Sequence, residues 1–188
     1  MKTRNPDTST RNLFLIGFMG CGKSTIAAAL STSLNRPVLE MDEEIERREG
    51  MSIPEIFSVH GEPYFRQAET ALLKETSSKG GFLVSCGGGA AMRSENVQEM
   101  KKNGIILLLT ALPETILSRV ADDENRPLLK GHKNISDISD LIQKRRPAYE
   151  AAADYTVITD NRSAAQICGD IFKILEKERI VWEKMKEF

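Results

Sequence analysis

The residues Gly17-Phe18-Met19-Gly20-Cys21-Gly22-Lys23-Ser24-Thr25 carry the clearest chemistry in the chain. They follow the apolar run Asn12-Leu13-Phe14-Leu15-Ile16 and lead into Ile26-Ala27-Ala28-Ala29-Leu30, which reads as a helix. A strand, a Gly-x-x-x-x-Gly-Lys-Ser loop and a helix, in that order, make a phosphate cradle. The glycines let the backbone curl until successive N–H groups point inward, and the helix N-terminus adds partial positive charge. Gly20, Cys21, Gly22, Lys23, Ser24 and Thr25 are therefore expected to hold the phosphates of a nucleoside triphosphate. Lys23 would reach the outer phosphates as a point charge, and the Ser24 hydroxyl would ligate a Mg²⁺ that keeps most of its waters. With glycine near 7% of residues, a chance match in a chain of this length is on the order of one in a hundred.

Further polar clusters stand where other apolar runs end. Glu40-Met41-Asp42 sets two carboxylates on what strand alternation makes the same side. Gly87-Gly88-Gly89 offers backbone that a ligand can approach closely. Asp122-Asp123-Glu124-Asn125-Arg126-Pro127 closes a helical stretch, and Thr159-Asp160-Asn161-Arg162 follows the last apolar run. Each has a plainer reading. Asp42 could cap a helix beginning at Glu43, and the glycines could be a tight strand-to-helix turn. Arg66, Arg145 and Arg146 lie in charged helical stretches where most arginines are solvated. Cys21 and Cys86 suit packing better than nucleophilic attack, and His60 and His132 have no companions at metal-ligand spacing.

The elements that must position these residues follow from the apolar pattern. Runs at 12–18, 37–41, 81–86, 105–110 and 155–159 are short and continuous rather than alternating, which suits strands buried on both faces of a parallel sheet. Helical patterns at 23–34, 42–49, 52–59, 63–78, 94–102, 113–122, 136–152 and 163–177 separate them. Strands alternating with helices predict an α/β fold of three layers, α/β/α, around a five-stranded parallel sheet, with ligands beyond the carboxyl ends of the strands. The expected organisation is a disordered polar leader over 1–11 and one domain over 12–188.

Bulk composition narrows the function classes. With 26 Lys and Arg against 27 Asp and Glu, there is no electrostatic case for nucleic acid or an anionic membrane as partner. Three widely spaced cysteines make neither a disulfide framework nor a zinc site and suit a reducing cytoplasm. No run approaches the roughly 18 apolar residues of a membrane span, and the first residues lack the apolar core of a signal peptide.

Taken together, the chain resembles the shikimate kinases, members of the nucleoside monophosphate kinase structural family. The resemblance is carried by the phosphate loop, Met41-Asp42-Glu43-Glu44-Ile45-Glu46, Ile53 to Phe57, and Gly61-Glu62-Pro63-Tyr64-Phe65-Arg66-Gln67-Ala68-Glu69. Gly87-Gly88-Gly89, Arg126-Pro127-Leu128-Leu129 and Lys144-Arg145-Arg146-Pro147-Ala148-Tyr149 complete it. The resemblance implies a P-loop kinase fold with a mobile lid at about 119–133 and a substrate-binding region at about 42–69. It implies phosphorylation of the 3-hydroxyl of shikimate by ATP with Mg²⁺, by a cytoplasmic monomer, in aromatic amino-acid biosynthesis. It assigns Asp42 to the ring hydroxyls near the attacking oxygen, and Arg66 and Arg145 to the shikimate carboxylate. Gly87, Gly88 and Gly89 offer backbone, Phe57 and Phe65 wall the ring, and Glu69 orients Arg66. Arg126 belongs to the lid and meets the transferring phosphate. Arg119 and Arg162 flank the nucleotide.

Glu40 stands where the family often has the first Asp of an Asp-x-Asp pair, whose carboxylate reaches Mg²⁺ through water, and is assigned the same task. Residues 176–188 extend past the family core. Two other classes compete: a different small P-loop kinase, acting on gluconate or a nucleoside monophosphate, and a nucleotide-binding module without catalysis. The first needs a different acceptor pocket, and the second leaves Asp42, Arg66 and Arg145 unexplained.

Overall fold

Residues 11–120 and 135–178 are described in a computed structural model. The leader, most of the expected lid including Arg126, and the end of the C-terminal extension lie outside them. Five strands, β1 (Asn12–Ile16), β2 (Val38–Glu40), β3 (Leu83–Ser85), β4 (Gly104–Thr110) and β5 (Tyr155–Ile158), form one parallel sheet in the order β2-β3-β1-β4-β5. The three central strands are buried on both faces because successive residues pack into opposite layers. Leu13, Leu15, Ile105, Leu107 and Leu109 meet one helical layer, built on Ile26, Ala27 and Leu30 of α1 (Lys23–Leu34) and Ile167 and Ile171 of α8 (Ala164–Lys177). Phe14, Ile16, Ile106 and Leu108 meet the other. That layer draws on α2 (Met41–Glu49), α3 (Ile53–His60), α4 (Glu62–Lys79), α5 (Ser94–Lys102) and α7 (Ile135–Ala152). The remaining helix, α6 (Pro113–Val120), buries Ile116 and Val120 beside α1.

Several boundaries differ from the sequence expectation for local reasons. The first three apolar runs outlast their strands, which give way to loops at Gly17 and Cys86 and directly to a helix at Met41. The second helix begins at Met41, with Glu40 at its N-cap position and no side-chain cap. Asp42 is therefore not the helix cap. It sits in the first helical turn beside Glu43 and Glu44, where negative charge meets the positive end of the helix dipole. A 3₁₀ turn at Ala90–Met92, absent from the sequence expectation, carries the glycine run into α5. Ser52 with Glu55 and Ser163 with Gln166 form capping boxes that start α3 and α8.

The topology places the site. From β1 the chain crosses through α1 toward β2 at one edge, whereas from β3 it crosses through α5 toward β4 on the opposite face. Neighbouring strands whose connections leave in opposite directions open a crevice at their carboxyl ends. The phosphate loop leaves β1 there and the glycine run leaves β3.

Candidate active site

A cleft of about 890 Å³ opens at that crevice, lined by the phosphate loop, Glu40, Asp42, Phe57, Phe65, Arg66, Glu69, Gly87–Gly89, Arg119 and Arg162. On the β1 side, Gly20 and Gly22 have φ of 77° and 95°, backbone that only glycine adopts without strain. A Cβ on Gly20 would also lie 2.8 Å from Val120. Lys23 folds back over the loop, its Nζ donating to the carbonyl oxygens of Gly17 and Phe18 at 3.0 and 3.1 Å. The Ser24 hydroxyl donates to Glu40 at 3.0 Å and lies 3.4 Å from the Ser85 hydroxyl at the end of β3. These are hard oxygen donors of the kind Mg²⁺ accepts. Among the described residues no cluster of three His, Cys, Asp or Glu could hold a metal. Ser85 is a member that sequence reasoning missed; its only signal is a polar residue closing an apolar strand.

On the other side, α2, α4, the glycine run and α7 converge. A Cβ on Gly87 would lie 2.5 Å from Asp42 Oδ1 and 2.9 Å from Glu69 Oε1, so both carboxylates press over that residue. A Cβ on Gly89 would lie 2.4 Å from Arg66 Nη1. A side chain at either position would displace the site's own carboxylates or guanidinium. Arg66 Nη1 donates to Glu69 at 2.7 Å, while its Nε and Nη2 donate to Glu62 at 3.0 and 2.8 Å. Burial alone would weaken the charge on Arg66, but the two carboxylates more than offset it and its pKa lies above the ordinary arginine value. Burial pushes the Glu69 carboxyl up; Arg66 pulls it partly back and the like charge of Asp42 pushes it up again. Glu69 Oε1 is, among the described residues, the buried side-chain polar atom without a hydrogen-bond partner. Phe57 and Phe65 meet edge to face at 5.1 Å, and Arg66 lies over the Phe65 ring.

From α7, Arg145 Nη1 donates to the Gly88 carbonyl at 3.3 Å, and its guanidinium lies over the Phe18 ring. The adjacent Arg146 faces solvent and pairs with Glu150 at 3.8 Å. Tyr149, one turn further on, is buried and donates to the same Gly88 carbonyl at 2.5 Å. Sequence reasoning gave this tyrosine no role. Burial holds its hydroxyl neutral, with a pKa pushed up to about 12 against a partial lowering by Arg145. An unfolded tyrosine ionises near pH ~10. The preference for the neutral hydroxyl is thus complete below that pH and is lost as pH rises to about 12. Tyr149→Phe is expected to remove an alkaline stability loss of about 2–3 kcal/mol across that window. Denaturant melts at stepped alkaline pH check this, and an identical slope in both proteins would contradict it.

The two arginines expected to flank the nucleotide are both engaged by protein groups. Arg119 Nη1 donates to the Gly20 carbonyl and the Thr159 hydroxyl, and Nη2 to the Thr159 carbonyl, which ties α6 and the end of β5 to the phosphate loop. Arg162, in the turn before α8, donates to Asp170 at 2.6 Å and to the Ile158 and Gln166 carbonyls. The three cysteines are buried and none is in a disulfide, and burial pushes the Cys86 and Cys168 thiols up, away from the thiolate a nucleophile needs. His60 stacks on Tyr64, and His132 lies outside the described residues. Among the described residues no helix is long and apolar enough to cross a membrane.

A phosphate loop at the end of β1 and a separate chamber of carboxylates, arginines and phenylalanines facing it define a P-loop kinase that acts on a small polar acceptor. The family model for shikimate kinase matches residues 19–176. A shikimate kinase of Dehalococcoides mccartyi is 39% identical over 177 residues, covering 94% of this chain and 97% of the relative. The structure of the Acinetobacter baumannii shikimate kinase in complex with shikimate superposes with a TM-score of 0.85 at 34% identity, covering 93% of this chain and 97% of the other. A gluconokinase of Sinorhizobium meliloti superposes at a TM-score of 0.58 with 17% identity over 90% of this chain and 94% of its own, which shows a shared fold alone. The chain belongs to the shikimate kinase family, and it is an ATP-dependent kinase.

Proposed function

We propose that this cleft transfers the γ-phosphoryl group of ATP to the 3-hydroxyl of shikimate, giving shikimate 3-phosphate and ADP. The observation that carries the assignment is the pair of arginines, Arg66 on α4 and Arg145 on α7, converging on the glycine run that also meets Asp42. Shikimate is a small anion with several hydroxyls. Its carboxylate suits two guanidinium groups, which stay charged at any working pH. Phe57 and Phe65 give the ring an apolar wall. Asp42 takes the ring hydroxyls on the side facing the phosphate loop, and the backbone of Gly87, Gly88 and Gly89 lies close to the same ring.

Phosphoryl transfer passes through a loose transition state, so the protein mainly positions groups and neutralises charge. Lys23 neutralises the outer phosphates from the loop. Asp42 aligns the 3-hydroxyl and accepts its proton as the new O–P bond forms and the bond to the β-phosphate oxygen breaks. Ser24 and Glu40 are the residues that would hold Mg²⁺, with Ser85 beside them; the ion would supply positive charge to neutralise the phosphates. Arg119 and Arg162 stand on the nucleotide side, and Arg126 is assigned to the transferring phosphate from the lid. The lid, the cytoplasmic monomer and the single-domain organisation belong to the same proposal, supported by three buried cysteines outside any disulfide and a balanced charge.

Arg145→Ala tests the carboxylate clamp. It is expected to raise the KM for shikimate by about a hundredfold, equivalent to ~3 kcal/mol of charge-assisted hydrogen bonding, with the KM for MgATP little changed. The wild-type enzyme should use shikimate methyl ester far less well than shikimate, and the variant should discriminate between them much less. Equal use of acid and ester by the wild type would remove Arg66 and Arg145 from the clamp.

A further inference from the structure

A buried polar relay outside the cleft ties the helix that bears Arg66 to the wall formed by the glycine run. Thr70 and Asn96 are buried, and Arg93 is half-buried at the start of α5. The Asn96 amide nitrogen donates to the Ala90 carbonyl at 2.9 Å, so its oxygen faces Thr70 at 2.7 Å. An amide oxygen only accepts, so the single Thr70 proton goes to Asn96. That hydroxyl also lies 2.9 Å from the Arg66 carbonyl, but it has no second proton to give. Arg93 Nη1 supplies the need, donating to the Arg66 carbonyl at 2.8 Å and to the Thr70 hydroxyl at 3.2 Å. The relay then runs in one direction: Arg93 to Arg66 and Thr70, Thr70 to Asn96, Asn96 to Ala90.

The two ends of this relay are informative. One is the backbone of Arg66 itself. The other is Ala90, whose N–H donates to the Gly87 carbonyl at 3.0 Å. Gly89 lies between them, and its approach to Arg66 Nη1 leaves no room for even a Cβ. A shift of either end would therefore move the guanidinium relative to the glycine run. Resting on the assignment of Arg66 and Gly87–Gly89 to the acceptor, we infer that Arg93, Thr70 and Asn96 are positioning residues for the acceptor's carboxylate. They hold the Arg66 fork in register with the glycine wall. None of the three lines the cleft.

The experiment is steady-state ADP release with shikimate and MgATP varied separately, on Thr70→Val, Thr70→Ser, Asn96→Asp and Ser77→Ala. Thr70→Val keeps the side-chain shape and removes the hydroxyl. It is expected to raise the KM for shikimate by about tenfold, with kcat and the KM for MgATP within about twofold of wild type. Thr70→Ser returns the hydroxyl and should restore the KM. Asn96→Asp keeps the acceptor toward Thr70 and loses the donor to Ala90, and should raise the same KM. Ser77→Ala is the control, because Ser77 donates to the Glu99 carbonyl and ties the same two helices together away from the cleft. It should lower the melting temperature and leave the shikimate KM alone. A normal shikimate KM in Thr70→Val, or an equal rise in Ser77→Ala, overturns the inference while leaving the acceptor assignment standing. A wild-type enzyme without shikimate-dependent turnover overturns that assignment, and the inference with it.

Discussion

Lys23→Ala is expected to lower turnover by about a thousandfold, roughly 4 kcal/mol of lost transition-state stabilisation. Shikimate binding should survive, because Lys23 stands on α1 whereas the acceptor chamber is built from α2, α3, α4 and the glycine run, with Arg145 of α7 against Gly88. The side chain is partly exposed, and its bonds go to two carbonyls of its own loop. Its loss should therefore cost little stability, and a melting curve close to wild type is part of the expectation. Initial rates of ADP release and calorimetric titration with shikimate measure the two halves separately. Turnover within tenfold of wild type would show that the charge on the phosphates comes from elsewhere.

Asp42→Asn is expected to lower turnover by about two to four orders of magnitude, the range for removing a positioned general base. The amide keeps the size of the side chain but cannot take a proton, and it aligns a hydroxyl less strongly than a carboxylate. Two effects on stability oppose each other. Losing an acid from the first turn of α2 costs about 0.3–1 kcal/mol of helix-dipole interaction. Removing the charge also relieves the repulsion that Asp42 exerts on the buried Glu69. The melting temperature should move little while turnover collapses. The reverse pattern, a destabilised protein with wild-type turnover, would reduce Asp42 to a helix-end acid.

Much of the fold was legible because its central strands are covered on both sides. Leu13-Phe14-Leu15-Ile16 and Ile105 to Leu109 feed both layers in alternation, so they appear as unbroken apolar runs between helices. The phosphate loop was legible because its chemistry is contiguous in the chain. Asp42 was singled out partly by strand alternation, yet the chain has already turned helical at Met41, and it is the first turn of α2 that aims the carboxylate at Gly87. The choice of Arg145 over Arg146 is matched by their surroundings, one at the Gly88 carbonyl and the other in solvent. What was not legible depends on contacts between distant segments. Tyr149 reaches a carbonyl 61 positions away, and Ser85 meets Ser24 across the same separation. The Thr70–Asn96 pair joins two helices whose facing cannot be read from either one. The 3₁₀ turn after the glycines was missed because three residues carry no periodicity.

The most direct measurement is ADP release from MgATP with shikimate, gluconate and nucleoside monophosphates supplied in parallel. Strong stimulation by shikimate, with little or none by the other acceptors, is the predicted result. ATP bound but ADP release unchanged by shikimate, or stimulated equally by gluconate, would contradict the account.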